Sequence, residues 1–191
     1  MSQAQGQRPA GPTAGAAEPA GDFAADHDGF GRLWTPHRMA YILGEGKPAD
    51  ATAGTCPFCA IPARSDEDGL IVARGESVYA VMNLFPYNSG HLLVVPYRHV
   101  PDYTGLSPAE LAEFGAFTQR AMNVLRQVSA PEGFNIGMNQ GEVAGAGIAA
   151  HLHQHVVPRW GGDTNFIPIV AHTRVLPELL ADARARLSAA W

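Results

Sequence analysis

Two cysteines, Cys56 and Cys59, are all that the 191 residues contain, too few for the disulfide framework of a small secreted fold. No apolar run approaches the roughly 18 residues that span a bilayer, and the N-terminus lacks a basic stretch followed by an apolar one. Neither a membrane anchor nor a secretory leader is expected, and the cytoplasm is the expected compartment. Basic charge is short as well: 13 Lys and Arg stand against 18 Asp and Glu, a formal net charge of −5. That excludes a nucleic-acid polymer held by a general positive field, though not a local anion pocket. Against 16% charged and 8% aromatic residues, 46% are hydrophobic, enough for the core of one domain at this length.

Low complexity marks the first 22 residues, where Ala, Gly and Pro account for 13. Such a stretch hides too little apolar area to offset its ordering entropy. Residues 1–28 are therefore expected as a disordered tail and 29–191 as a single domain. Thr35 and Pro36 read as N-cap and first-turn proline of a helix stopped at Gly44–Pro48, and a loop leads from there to Cys56. Strands are expected over Leu70–Arg74, Val78–Leu84, His91–Pro96, Gly133–Asn139 and His151–Val157. Ser107-Pro108-Ala109-Glu110 reads as a capping box opening a long helix whose apolar face runs Leu111, Phe114, Thr118, Met122, Leu125, Val128. Leu176–Ala190 reads as a closing helix. Hairpins followed by a long helix predict an α+β fold: an antiparallel sheet of about five strands with the long and C-terminal helices packed on it.

His151-Leu152-His153-Gln154-His155 carries the most chemistry. Extended backbone alternates its side chains, so the three imidazoles project to one side, and Leu152, Gln154 and Val156 to the other. Each imidazole has two ring nitrogens to satisfy, which makes a poor core but a good place for nucleophilic, acid–base or metal chemistry near neutral pH. A solvated polar strand face is the alternative for an isolated pattern of this kind. Directly upstream, Gly141, Gly145 and Gly147 punctuate a loop whose amides could cradle phosphate oxygens, although glycine also serves mere turns. Cys56 and Cys59 have the spacing of half a tetrahedral zinc site.

The stretch His151–Val157 resembles the histidine-triad (HIT) motif, His-φ-His-φ-His-φ-φ with φ apolar, departing from it at Gln154. Asn83-Leu84-Phe85-Pro86 and Gly90-His91-Leu92-Leu93-Val94-Val95-Pro96 are similar to the family's other signature, and the likeness runs from about Cys56 to Pro158. The resemblance implies transfer of a nucleoside monophosphoryl group through a covalent histidine. By position His153 is the nucleophile, its far ring N–H held by an acceptor such as the His151 carbonyl. His155 donates to a phosphate oxygen, and His151 completes the catalytic set. Asn83 takes the ribose hydroxyls, its alternative being a turn-preceding Asn; Val81, Leu84 and Phe85 face the base or, alternatively, are ordinary core. Asn139 or Gln140, with the amides of Gly145, Ala146, Gly147 and Ile148, holds phosphate. Trp160 stacks on a base or shapes the pocket entrance, and Arg159 steadies distal phosphates; both have structural alternatives. Resemblance to zinc-bearing members adds His99 and His151 to Cys56 and Cys59 as ligands of a structural zinc, and leaves a role for Mg²⁺ open. Val156–Phe166 and Trp34–Met39 are similar to the actinobacterial branch, which implies phosphorolysis of diadenosine tetraphosphate to ADP and ATP, with inorganic phosphate as second substrate. A hydrolase or phosphoramidase releasing AMP, or a non-catalytic nucleotide-binding module, is the alternative. The family resemblance also implies a homo-oligomer, dimer or tetramer.

Overall fold

A computed structural model describes residues 52–163 and 176–191. The expected tail and the helix near Thr35 lie outside the described residues. Strands β1 (Ile71–Arg74), β2 (Val78–Met82) and β3 (Leu92–Pro96) are joined by short turns, and β4 (Gly133–Gly137) and β5 (Gln154–Arg159) complete one antiparallel sheet in the order β1-β2-β3-β5-β4. A four-residue helix α1 (Pro57–Ala60), the long α2 (Pro108–Ser129) and α3 (Leu180–Ala189) accompany it.

β2 and β3 are buried at every position, because both sheet faces are covered. Val78, Ala80, Met82, Leu92 and Val94 join Phe114, Ala121, Val124 and Leu125 of α2 and Leu187 of α3 in one core. Tyr79, Val81, Leu93 and Val95 point the other way and pack with Cys56 and Phe58. Two unlike layers therefore share the sheet: a helical one for stability, and a thinner one that carries α1.

Helix α2 starts where its sequence dictates. The Ser107 hydroxyl accepts from the Glu110 amide, the Glu110 carboxylate accepts from the Ser107 amide, and Pro108 occupies the first turn. Its buried face is rotated from the expected one, with Ala121 and Val124 inside and Leu111 40% exposed. The expected strands were too long: Asn83 and Leu84 fall outside β2, His91 precedes β3, and Met138 and Asn139 follow β4. The closing helix begins only at Leu180.

The largest displacement concerns β5, which runs Gln154–Arg159 instead of His151–Val157. β3 pairs with it only from Leu92↔Val156 to Val94↔Gln154, and the Leu152 amide donates to the Val100 carbonyl at 2.7 Å. Alternation nevertheless persists across the boundary. Leu152 and Val156 sit in the helical core, and the Gln154 amide meets Thr118 Oγ1 of α2 at 3.1 Å. A polar residue in the apolar slot thus has a partner on the covering helix.

Candidate active site and metal centre

His151 and His153 are buried, 1% and 6% exposed, on the sheet face away from α2, and His155 beside them is partly buried. Their hydrogen bonds determine where each proton sits. His153 Nδ1 lies 2.8 Å from the His151 carbonyl, so Nδ1 carries the proton and donates, leaving the Nε2 lone pair for chemistry. Burial holds the His153 imidazole below its ordinary value, partly offset by that carbonyl. At neutral pH it is therefore the uncharged, nucleophilic form.

His155 is oriented by a residue that sequence reasoning missed. The Tyr87 amide donates to His91 Nδ1 at 3.0 Å, which places the His91 proton on Nε2. His91 Nε2 lies 2.9 Å from His155 Nδ1, so His91 donates there and the His155 proton is left on Nε2. Burial, then the neighbouring His153, pushes His155 down to about 4. The Tyr87 ring stacks on His155 at 5.5 Å between centroids and 15° between planes. His91 is fully buried; the only signal in the sequence was one imidazole at the head of an otherwise apolar run.

His151 faces a different task. Its Nε2 lies 2.9 Å from the Pro96 carbonyl and donates to it, freeing Nδ1, which stands 3.3 Å from Cys56 Sγ and 3.5 Å from Cys59 Sγ. His99 Nδ1 is 3.3 Å from Cys59 Sγ, and the four ligand atoms lie within 4.8 Å of one another. Zn–S near 2.3 Å and Zn–N near 2.0–2.1 Å at tetrahedral angles require S···N edges of about 3.5 Å. The donor set, the spacing and the carbonyl behind His151 all fit zinc. Burial and the nearby Cys56 push the Cys59 thiol up to about 11; a bound divalent cation would reverse that.

The remaining expected residues divide. Asn83 Oδ1 accepts from the Phe85 amide at 3.0 Å, and its amide nitrogen is 3.4 Å from His91 Nδ1. Asn139 Nδ2 donates to the Gly145 carbonyl at 3.4 Å, tying β4 to the glycine loop. Gly141 and Gly145 take φ of 80° and 82°, a conformation that a Cβ would strain. Ala146 is buried, Ile148 packs on the Cys56–Phe58 cluster, and among the described residues the amides of Gly147 and Ile148 meet no acceptor. Gln140 is turned elsewhere, accepting from the Tyr103 amide at 2.6 Å. Trp160 is not brought to the histidines: it follows the far end of β5, and its indole N–H donates to the Ser129 carbonyl at 3.2 Å. Arg159 forms a two-pronged ion pair with Asp163 at 2.6 and 2.9 Å. Of the three residues expected to face a base, Val81 is buried in the core, whereas Leu84 and Phe85 are 62% and 79% exposed. Phe58 was missed; its ring centroid lies 4.9 Å from that of His153.

Comparison with known proteins agrees with this fold. The HIT domain family matches residues 64–162. Over 167 residues, 86% of each chain, the sequence is 52% identical to a protein named AP-4-A phosphorylase in two strains of Mycobacterium tuberculosis. A crystal structure of a zinc-bound histidine triad family protein from Mycobacterium smegmatis superposes with TM-score 0.59 at 28% identity, covering 73% of this chain and 94% of that one. A hypothetical histidine triad nucleotide-binding protein from Sulfolobus tokodaii shares the fold, with TM-score 0.58 at 24% identity over 71% of this chain and 91% of that one.

Proposed function

The chain belongs to the HIT domain family, and from that premise we propose that it is a nucleotidyl transferase that splits diadenosine tetraphosphate by phosphorolysis. The observation that carries the reading is the 52% identity, over 86% of both chains, to the mycobacterial protein named AP-4-A phosphorylase. The proton pattern of the three histidines supports the chemistry. His153 Nε2 attacks the α-phosphorus, an N–P bond forms, and the P–O bond to the polyphosphate breaks. ATP departs, and AMP remains on the imidazole. Inorganic phosphate then attacks the same phosphorus, giving ADP and restoring His153. His155 Nε2–H faces this chemistry as the donor to phosphate oxygen as charge develops. The amides of Gly147 and Ile148, in the loop steadied by Asn139, supply further donors, and the ribose diol falls to Asn83 by its position in the family signature. Of the two amide candidates we favour Asn139, whose side chain reaches the glycine loop, whereas Gln140 turns to the Tyr103 amide.

A structural zinc on Cys56, Cys59, His99 and His151 would tie α1 to two distant segments of the sheet. Two unpaired thiols suit a cytoplasmic location, and among the described residues no helix is long and apolar enough to cross a membrane. A homo-oligomer, dimer or tetramer, suits the outer edge of β4, where Ile136 is 42% exposed.

Incubation with diadenosine tetraphosphate, with and without phosphate, followed by nucleotide chromatography tests the proposal. Equal amounts of ADP and ATP are expected, strictly dependent on phosphate. AMP as the main product under both conditions would replace phosphorolysis by hydrolysis. His153→Ala is expected to abolish turnover while AMP still binds.

A further inference from the structure

Between the two cysteines lies a buried aromatic that neither the nucleotide chemistry nor metal ligation uses. Phe58 is 6% exposed, and its ring touches two of the three histidines, with centroids 5.6 Å from His151 at 70° and 4.9 Å from His153 at 43°. Its own peptide is fastened to the sheet, for the Tyr79 hydroxyl donates to the Phe58 carbonyl at 2.7 Å. The Cys59 and Ala60 amides both return to the Cys56 carbonyl at 3.2 Å, closing the turn. The His153 ring also meets His155 edge-on at 5.2 Å.

One hydrogen bond, Nδ1–H to the His151 carbonyl, leaves an imidazole able to rock about that contact. Ring contacts with Phe58 and with His155 narrow that motion. Both the ring of Phe58 and the carbonyl of His151 belong to the Cys₂His₂ centre's own framework: Phe58 sits within the cysteine turn, and His151 offers Nδ1 to the thiols while its carbonyl takes the His153 proton. We infer that Phe58 is a positioning residue for the His153 imidazole, and that a divalent cation held by Cys56, Cys59, His99 and His151 steadies this ring and the His151 carbonyl together. The cation then acts on the nucleophile through the frame while standing outside the reaction. The inference rests on His153 being the nucleophile.

Nitrogen-15 spectra of the full chain, labelled at histidine and recorded reduced with and without zinc at one fixed pH, test it alongside AMP transfer to the protein. The zinc-loaded chain is expected to show His153 in one tautomer, with the proton on Nδ1; the stripped chain shows both. Phe58→Leu preserves most of the buried volume and so the fold, and it keeps one zinc per chain. It is expected to mix the tautomers and slow AMP transfer by about tenfold or more, a size that a misplaced reacting group can produce, with KM for nucleotide within about twofold. Tyr79→Phe, which releases the turn without touching a histidine, moves both readouts the same way. A folded, zinc-loaded Phe58→Leu with the wild-type tautomer and rate would overturn the inference, as would a stripped wild-type chain whose His153 is unchanged. The tautomer readout needs no nucleotide. A chain that shows the coupling yet never acquires AMP would leave the positioning standing and bring down the functional reading alone.

Discussion

A backbone amide, that of Tyr87, decides the protonation of two imidazoles. By donating to His91 Nδ1 it obliges His91 to donate a hydrogen bond from Nε2–H to His155 Nδ1, which leaves the His155 proton on Nε2. His91→Phe keeps the aromatic volume and removes both bonds. Loss of one well-placed donor to the developing charge costs about 10²–10³-fold, so kcat is expected to fall by about a hundredfold with little change in KM. An unchanged kcat would mean that some other group sets His155. The same burial has a consequence for stability. His155 titrates near 4 when folded and near 6.5 when unfolded, so between those values the unfolded chain binds more protons and stability rises with pH. The contribution is complete above about pH 6.5 and is lost as pH falls toward 4. Urea midpoints measured from pH 7 to pH 4.5 should fall, and His155→Gln should flatten part of that slope.

At the scale of elements, the turn between β1 and β2 is set by a helix. The Glu113 carboxylate of α2 accepts from the Glu76 and Ser77 amides at 2.7 Å each and from the Ser77 hydroxyl. It crowds Gly75 so closely that a Cβ there would lie 2.3 Å from Glu113 Oε1 and 2.7 Å from the Phe117 ring. Glu113→Ala strands two amides and is expected to cost about 2 kcal/mol, read as a lower urea midpoint at unchanged slope. A shift within about 0.5 kcal/mol, typical of surface substitutions, would show that water replaces the carboxylate. The same elements show how far the sequence could be read. Alternation of His151, His153 and His155 was legible, since a period of two survives beyond the strand. Where β5 begins and ends was not, because distant groups decide it: Val100 takes the Leu152 amide, and the β3 ladder stops at Val156. Pro158 was expected to end the strand but lies within it, paired with Phe134. On the side where β3 has already stopped, its missing N–H forfeits no ladder bond, and Asn88 Nδ2 takes its carbonyl at 3.1 Å. The roles of His91 and Phe58 escaped notice for a related reason: an isolated residue acquires its role only from partners that folding brings to it.

Across the whole molecule, the Cys₂His₂ cluster joins parts of the chain that are remote in sequence, Cys59 and His99 being 40 positions apart and Cys56 and His151 95. A cation there would bind the folded state and scarcely the unfolded one, since its four donors converge only after β3 and β5 have paired. Stability should then rise with the logarithm of free zinc, by about 2.7 kcal/mol at a hundredfold excess over Kd. For a chain of this size, 1 kcal/mol moves Tm by about 2–4 °C, which makes the shift roughly 5–10 °C. Melting curves in zinc buffers should therefore climb steadily, and the climb should vanish in Cys59→Ser. That variant keeps the small side chain and removes only the thiolate. A Tm that ignores zinc would reassign the cluster: the same 3.3 Å Sγ···Nδ1 separations would then be thiol–imidazole hydrogen bonds, and the tie between α1 and the sheet would rest on the Tyr79–Phe58 bond and the packing around it.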